Sequence, residues 1–207
     1  MLKPCCFCDD LSRKGANRVI WEDPSFVLTP TVGPLARGHS LLIPRRHIPS
    51  FRQLPRETWA AAEAVIERCS VALARPGERV VGFEHGMESH TSTGGCGISH
   101  AHIHLVPVPA NAALGELPRE RGDEPWRMHR DRWLPALPSK GYLLLIDRGI
   151  GFSRSADEPP SQYLRRWLAS RLECAEWDWR KAPQDAVYEA AMELRLTTRD
   201  TLGFLPT

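Results

Sequence analysis

The sequence predicts an α+β fold, and three observations carry it. Residues 19–21 and 26–29 are short β-prone runs separated by Glu22-Asp23-Pro24-Ser25, a turn signal, so they read as a hairpin. One long amphipathic helix follows. Leu54-Pro55-Arg56-Glu57-Thr58 opens it, and Trp59, Ala62, Ile66, Cys69 and Leu73 recur at helical spacing until Pro76-Gly77 stops it. Residues 100–106, His-Ala-His-Ile-His-Leu-Val, then alternate imidazole with apolar side chains, the period of a strand.

The remaining elements fall between and after these. Gly38-His39-Ser40 leads into Leu41-Leu42-Ile43, a buried-strand candidate that ends at Pro44, and residues 80–84 are another strand. From about residue 110 the character changes. Residues 110–139 are rich in Pro, Arg and Trp and read as irregular chain. Residues 142–146 form a strand. Residues 161–172 form a helix with Leu164, Trp167, Leu168 and Leu172 on one face, and residues 186–196 form the last helix. This divides the chain into a core, 1–110, and a C-terminal α/β extension, 111–207, whose Trp and Leu content predicts that it packs on the core.

Composition sets outer limits. The chain has 207 residues, 42% hydrophobic and 25% charged, enough for one large domain or a core with an extension. A net charge of +2 gives no global electrostatic case for a nucleic-acid partner, so any anion site must be local. No apolar run reaches the length of a membrane span, and Met1-Leu2-Lys3-Pro4-Cys5 carries no apolar signal region. The expectation is a cytoplasmic protein without a membrane partner. Its six cysteines are then metal ligands or buried thiols rather than disulfides.

The chemistry concentrates in residues 100–106. On a strand, His100, His102 and His104 would share one face at steps of roughly 6.5–7 Å. Imidazole titrates near neutral pH and serves as nucleophile, acid/base or metal ligand. The preceding loop, 85–99, contains Thr91-Ser92-Thr93-Gly94-Gly95-Cys96-Gly97. Small residues there let backbone N–H groups approach an anion, although a flexible connection would look the same. Cys5 and Cys8 make a Cys-x-x-Cys pair, either half of a zinc site or two reduced thiols.

Cys5-Cys6-Phe7-Cys8, the segment 37–47 (Arg-Gly-His-Ser-Leu-Leu-Ile-Pro-Arg-Arg-His), the Gly loop and the histidine run occur in one order. This combination resembles the histidine triad (HIT) family, whose signature is His-φ-His-φ-His-φ-φ with φ apolar. Residues 80–86, 99–109 and Trp177-Asp178-Trp179-Arg180 are more loosely similar to CwfJ-type long HIT proteins. The resemblance implies an antiparallel sheet with one main helix and an enzyme that hydrolyses nucleotides at the α-phosphorus. The substrates implied are dinucleoside polyphosphates or nucleoside phosphoramidates, of adenosine first, and a homodimer is implied as well.

In that scheme His102 attacks phosphorus to form a nucleotidyl-imidazole, and His104 contacts the leaving oxygen. A nucleophilic imidazole needs one free lone pair, so the other ring nitrogen of His102 should donate to a backbone carbonyl. Backbone N–H groups from Gly95 through Gly97 to Ser99 would stabilise phosphoryl oxygens. One departure is visible. Position 97 is Gly where many small HIT hydrolases carry a phosphate-touching Ser, which leaves that contact to Ser99 or Thr93. The third histidine is present where nucleotidyl-transferring branches and CwfJ-type proteins commonly have Gln, which favours hydrolysis.

The resemblance also implies that His47 and His100 complete a structural zinc site with Cys5 and Cys8, so His100 would leave the catalytic group for the metal. Cys6 is an alternative ligand at a less usual spacing, Cys69 and Cys174 read as packing, and Cys96 sits in the Gly loop. His39 faces either the nucleotide or a turn hydrogen bond, His85 reaches toward ribose or phosphates, and His90 and His129 read as surface residues. Arg127, Arg130 and Arg132 are either contacts for a polyphosphate or a solvated face. Three rival readings stand beside hydrolysis: nucleotidyl transfer or phosphorolysis with another acceptor, a CwfJ-like nucleotide- or RNA-binding module without turnover, and a catalytic metal on the histidines.

Overall fold

A computed structural model describes residues 5–12, 18–90, 98–120, 122–156, 159–183 and 186–202. Among the described residues, eight strands form one antiparallel sheet: β1 (Trp21–Glu22), β2 (Phe26–Pro30), β3 (Ser40–Pro44), β4 (Glu78–Gly86), β5 (Ile103–Pro109), β6 (Arg127–His129), β7 (Tyr142–Asp147) and β8 (Ile150–Ser155). Their spatial order is β1-β2-β3-β5-β4-β7-β8-β6. Four α-helices accompany them among the described residues: α1 (Cys6–Ser12), α2 (Trp59–Leu73), α3 (Tyr163–Arg171) and α4 (Ala186–Leu202).

The β1–β2 hairpin is where the turn signal puts it, with Trp21 opposite Leu28 and Glu22 opposite Val27. Asp23 fixes the turn, its Oδ1 accepting the N–H groups of Ser25 and Phe26 at 2.7 Å. The buried face of α2 is Trp59, Ala62, Ile66, Cys69 and Leu73, the five residues at helical spacing. Each large apolar side chain buried there contributes about 1.5–3 kcal/mol.

The two sheet faces are distinct. Leu42, Ile103, Leu105, Tyr142 and Leu144 face α2 and α4 in one core. Val81, Phe83, Val106, Leu143 and Leu145 form a second core against α3. Leu41 and Ile43 pack with Phe7 of α1 on that same second face, since they alternate with Leu42. Two departures from the sequence reading matter. β5 runs on through Pro107, which is tolerated because β3 pairs with β5 only at residues 103–105 and needs no N–H from position 107. The stretch 110–139, expected to be irregular, contributes β6, and the unanticipated β8 pairs both β6 and β7. β7 lies against the outer edge of β4, with His85 opposite Leu143 and Gly86 opposite Tyr142, so the sheet continues directly into the C-terminal half. Among the described residues, no helix is long and apolar enough to cross a membrane.

Candidate active site and metal centre

The three histidines do not share one regular strand. His104 lies in β5, opposite Leu41 of β3 and Phe83 of β4. His102 precedes the strand and His100 sits in a bend. The approach to β5 is held by the connection after β3 instead of the ladder. The Ala101 N–H donates to the Ile48 carbonyl at 2.7 Å, and His100 Nε2 donates to the Pro44 carbonyl at 2.7 Å. His100 is thereby turned toward α1 and is 1% exposed, while the rings of His102 and His104 stay together with centroids 5.2 Å apart.

Hydrogen bonds assign the tautomers. His102 Nδ1 is 2.8 Å from the His100 carbonyl, an acceptor only, so Nδ1 carries a proton and the lone pair of the neutral ring lies on Nε2. The Leu35 N–H donates to His39 Nδ1 at 3.1 Å, so His39 is protonated at Nε2. That Nε2–H lies 3.0 Å from His104 Nδ1 and donates to it, which leaves His104 as an Nε2–H donor. His104 also stacks on Phe83, 4.4 Å between centroids and 11° between planes. Burial lowers its pKa well below the usual imidazole value, with His102, His39 and Arg165 adding to the effect. Burial first, then Arg165, does the same to His39. His104 thus stands as an N–H donor beside His102, whose Nδ1 is the protonated nitrogen.

On the other side of His100, four expected metal ligands converge. The donor atoms of Cys5, Cys8, His47 and His100 all lie within 4.8 Å of one another. His100 Nδ1 is 3.4 Å from Cys5 Sγ and 3.5 Å from Cys8 Sγ, and His47 Nδ1 is 3.2 Å from Cys8 Sγ. The set fits a tetrahedral Cys2His2 centre, and the Pro44 carbonyl on His100 Nε2 leaves Nδ1 as the ligating atom. Burial, then Cys5, pushes the Cys8 thiol up to about 11, the opposite of what a cation between the thiols would impose. His47 stacks on His90, 4.5 Å between centroids, and His90 Nδ1 bonds the Ser99 carbonyl at 3.0 Å.

His102 and His104 open into a cleft of about 230 Å³, with Leu41, Phe83 and His85 on the sheet side. Burial, then His102, pulls the His85 pKa down to about 4. The opposite wall comes from the C-terminal half: Gln162, Tyr163, Leu164 and Arg165 at the start of α3, with Trp179. Phe7 closes one end, its ring edge-on to His102 at 5.4 Å.

Other expected contacts fall elsewhere. His39 is 1% exposed and does not line the cleft, so it stands behind His104 instead of facing a nucleotide. Ser99 does not line the cleft either. Gly95, Gly97, Thr93 and Cys96 lie outside the described residues. The arginines proposed for polyphosphate are away from the cleft: Arg132 pairs with Glu63 of α2 at 3.1 Å, and Arg127 is exposed on β6. His129 bonds the Ser153 hydroxyl at 2.8 Å. Cys69 is buried, and Cys6 is exposed. Sequence reasoning did not single out Gln162 and Arg165. The available signal was Arg165 itself, which falls beside Leu168 and Leu172 on the apolar side of its helix.

Residues 1–118 match the family described as protein similar to CwfJ C-terminal. An uncharacterized HIT-like protein of Mycobacterium tuberculosis is 26% identical over 104 residues, which is 50% of this chain and 71% of that protein. The protein named adenylylsulfatase HINT3 of Arabidopsis thaliana is 27% identical over 105 residues, 50% of this chain and 51% of its own length. Among solved structures, a zinc-bound histidine triad family protein from Mycobacterium smegmatis has 23% identity and a TM-score of 0.39, covering 82% of this chain and 93% of that one. The family match spans more than half of the sequence and includes the histidine run, so the chain belongs to the CwfJ C-terminal-like family, among histidine triad relatives.

Proposed function

We propose that the chain is a nucleotide hydrolase that cleaves at the α-phosphorus through a nucleotidyl-His102 intermediate. The observation that carries this reading is the 2.8 Å bond from His102 Nδ1 to the His100 carbonyl, which puts the lone pair of the neutral ring on Nε2, in a cleft shared with an N–H donor on His104. His102 Nε2 attacks phosphorus, the bond from phosphorus to the leaving group breaks, and the electron pair departs on the leaving atom with a hydrogen bond from His104 Nε2–H. The proton stays on Nδ1, hydrogen-bonded to the His100 carbonyl, which supports the positive ring. Water then displaces the imidazole. The sum is one water consumed and a nucleoside monophosphate and the leaving group released.

Cys5, Cys8, His47 and His100 would hold zinc, which supplies a cross-link between α1, the segment after β3 and the approach to β5. The use of two thiols in this way suits a reducing compartment such as the cytoplasm. The name of the Arabidopsis relative makes an adenosine nucleotide the first substrate to try. A homodimer would need a surface other than the outer edge of β4, which β7 pairs.

The test is trapping. Incubation with labelled adenosine nucleotides, followed by acid-free mass analysis, should show an adenylyl adduct on His102 and release of AMP, both absent in His102→Ala. No adduct and no turnover would leave a binding module. Products that incorporate added phosphate in place of water would identify phosphorolysis.

A further inference from the structure

The C-terminal wall of the cleft carries a polar group that the hydrolytic scheme does not use. Gln162, the residue that caps α3, is 7% exposed and lines the cleft with His102 and His104. Its Nε2 donates to Asp178 Oδ1 at 2.9 Å. That hydrogen bond holds the Asp178 carboxyl below its usual pKa, so Asp178 is a carboxylate and accepts only. The Gln162 amide is therefore fixed in orientation. Its Oε1 is buried with no hydrogen-bond partner. Asp178 is fixed in turn, because the same Oδ1 accepts the Arg180 N–H at 3.2 Å and caps the short turn at residues 179–181. The segment Trp177-Asp178-Trp179-Arg180 thus meets the cleft at two points: Asp178 sets the Gln162 amide, and Trp179 lines the same wall. Gln162 also holds a left-handed backbone, φ 58° and ψ 31°, a conformation that costs a residue other than glycine free energy.

We propose that Gln162 is a specificity-determining residue whose Oε1 accepts one hydrogen bond from an uncharged donor on the nucleoside, an N–H of the base or an O–H of the sugar. Polarity selects that part of the ligand. Phosphoryl oxygens are acceptors, and a second acceptor set against them repels. A buried carbonyl oxygen is costly to leave unmatched, so it favours the ligand that brings a donor. Leu164 and Val32 line the cleft beside it and offer no donor from their side chains. A nucleoside without the donor would leave Oε1 unpaired in a filled cleft, and a site built in this way rejects such an analogue. Gln162 and Asp178 both lie beyond residues 1–118, the segment that matches the family, so this selectivity belongs to the C-terminal half of the chain.

This rests on the nucleotide-hydrolase reading of the cleft, and the experiment separates the two. Four ligands are titrated calorimetrically into His102→Ala, which on that reading binds without turnover. They are adenosine 5′-phosphoramidate, its purine-riboside analogue without the amino group, and its 2′-deoxy and 3′-deoxy analogues. One analogue should bind about 10- to 100-fold more weakly than the parent. It is the amine-free one if the base supplies the donor, and a deoxy one if the sugar does. Gln162→Leu in the same background should shrink that gap to less than about threefold and leave the other two ratios unchanged. Gln162→Asn should do the same, since Asn tolerates the left-handed backbone and withdraws the amide by one methylene. It keeps the test open if leucine upsets the cap. A purely structural role would weaken all four ligands alike and preserve the ratios, which would overturn the proposal. So would four equal affinities before any change at position 162, or no binding of any of the four. Adenylyl-His102 is scored separately in the wild-type protein. Its absence beside intact discrimination would remove the hydrolytic reading alone, and its presence beside equal affinities would remove this proposal alone.

Discussion

His39 Nε2 lies 3.0 Å from His104 Nδ1, and the Leu35 N–H on the far side of His39 decides which ring donates. The consequence is that His104 presents N–H, and not a lone pair, to the cleft. On the proposed chemistry His39→Ala should lower kcat by about 10²-fold through loss of that orientation, with little change in KM. Steady-state kinetics on an adenosine nucleotide reads this directly. An unchanged kcat would show that His104 is oriented without its neighbour.

The Cys2His2 cluster predicts a metal whose role is structural. The protein as purified should carry about one zinc per chain, and Cys8→Ala should lose it. Chelation should lower Tm before it lowers activity per folded molecule, because no ligand faces the reacting phosphorus in the proposed scheme. Activity lost at unchanged Tm would favour a catalytic metal.

A buried acid predicts a pH dependence of stability. Glu84 is 1% exposed, and burial raises its pKa to about 7 against the opposing hydrogen bonds from Tyr142 Oη (2.6 Å) and the Phe51 N–H (2.9 Å). The folded pKa is above the unfolded one, so the folded state binds the extra proton. Stability from this group is fully present below about 4.5 and is lost as pH rises through about 7, a loss on the order of 3 kcal/mol. Urea melts across pH 4.5–8 should show the decline, and Glu84→Gln, which mimics the neutral acid, should flatten it. A slope that persists in Glu84→Gln would assign it to other groups.

Gly86 and Tyr142 are paired across β4 and β7, and the phenol ring lies where a side chain at 86 would go. A Cβ at Gly86 would come within 2.1 Å of Tyr142 Cζ. The ring is tethered by its hydroxyl to Glu84 and to the Arg52 N–H, so it has no easy retreat. Gly86→Ala should destabilise by about 1–3 kcal/mol or more, measured as a lower urea midpoint at constant m-value.

Much of the fold is legible in the sequence where one physical rule dominates. All five residues that define the apolar stripe of α2 are buried, and the β1–β2 turn follows from Asp23 and Pro24. β8 escapes notice because its buried positions include Ser153 and Arg154, so the strand shows no apolar alternation. Arg154 is buried by pairing with Asp123 at 2.7 Å, a partner distant in sequence. The histidine run announces a site, yet periodicity places all three rings on one face. Two carbonyl contacts, at Pro44 and Ile48, turn His100 out of that row, and such contacts leave no trace in local pattern. The cleft wall at Gln162 is hidden for the same reason, and Arg165 shows only as a charge on the apolar side of its helix.

The helix that roofs the histidines lies beyond the segment the family shares, since the match ends at residue 118 and α3 begins at Tyr163. On the proposed function, the reacting histidines and the wall that faces them are thus encoded in separable stretches of the chain. On that reading, exchange of the tail alone would set the same histidines against a different cleft wall, which is a handle for redesign.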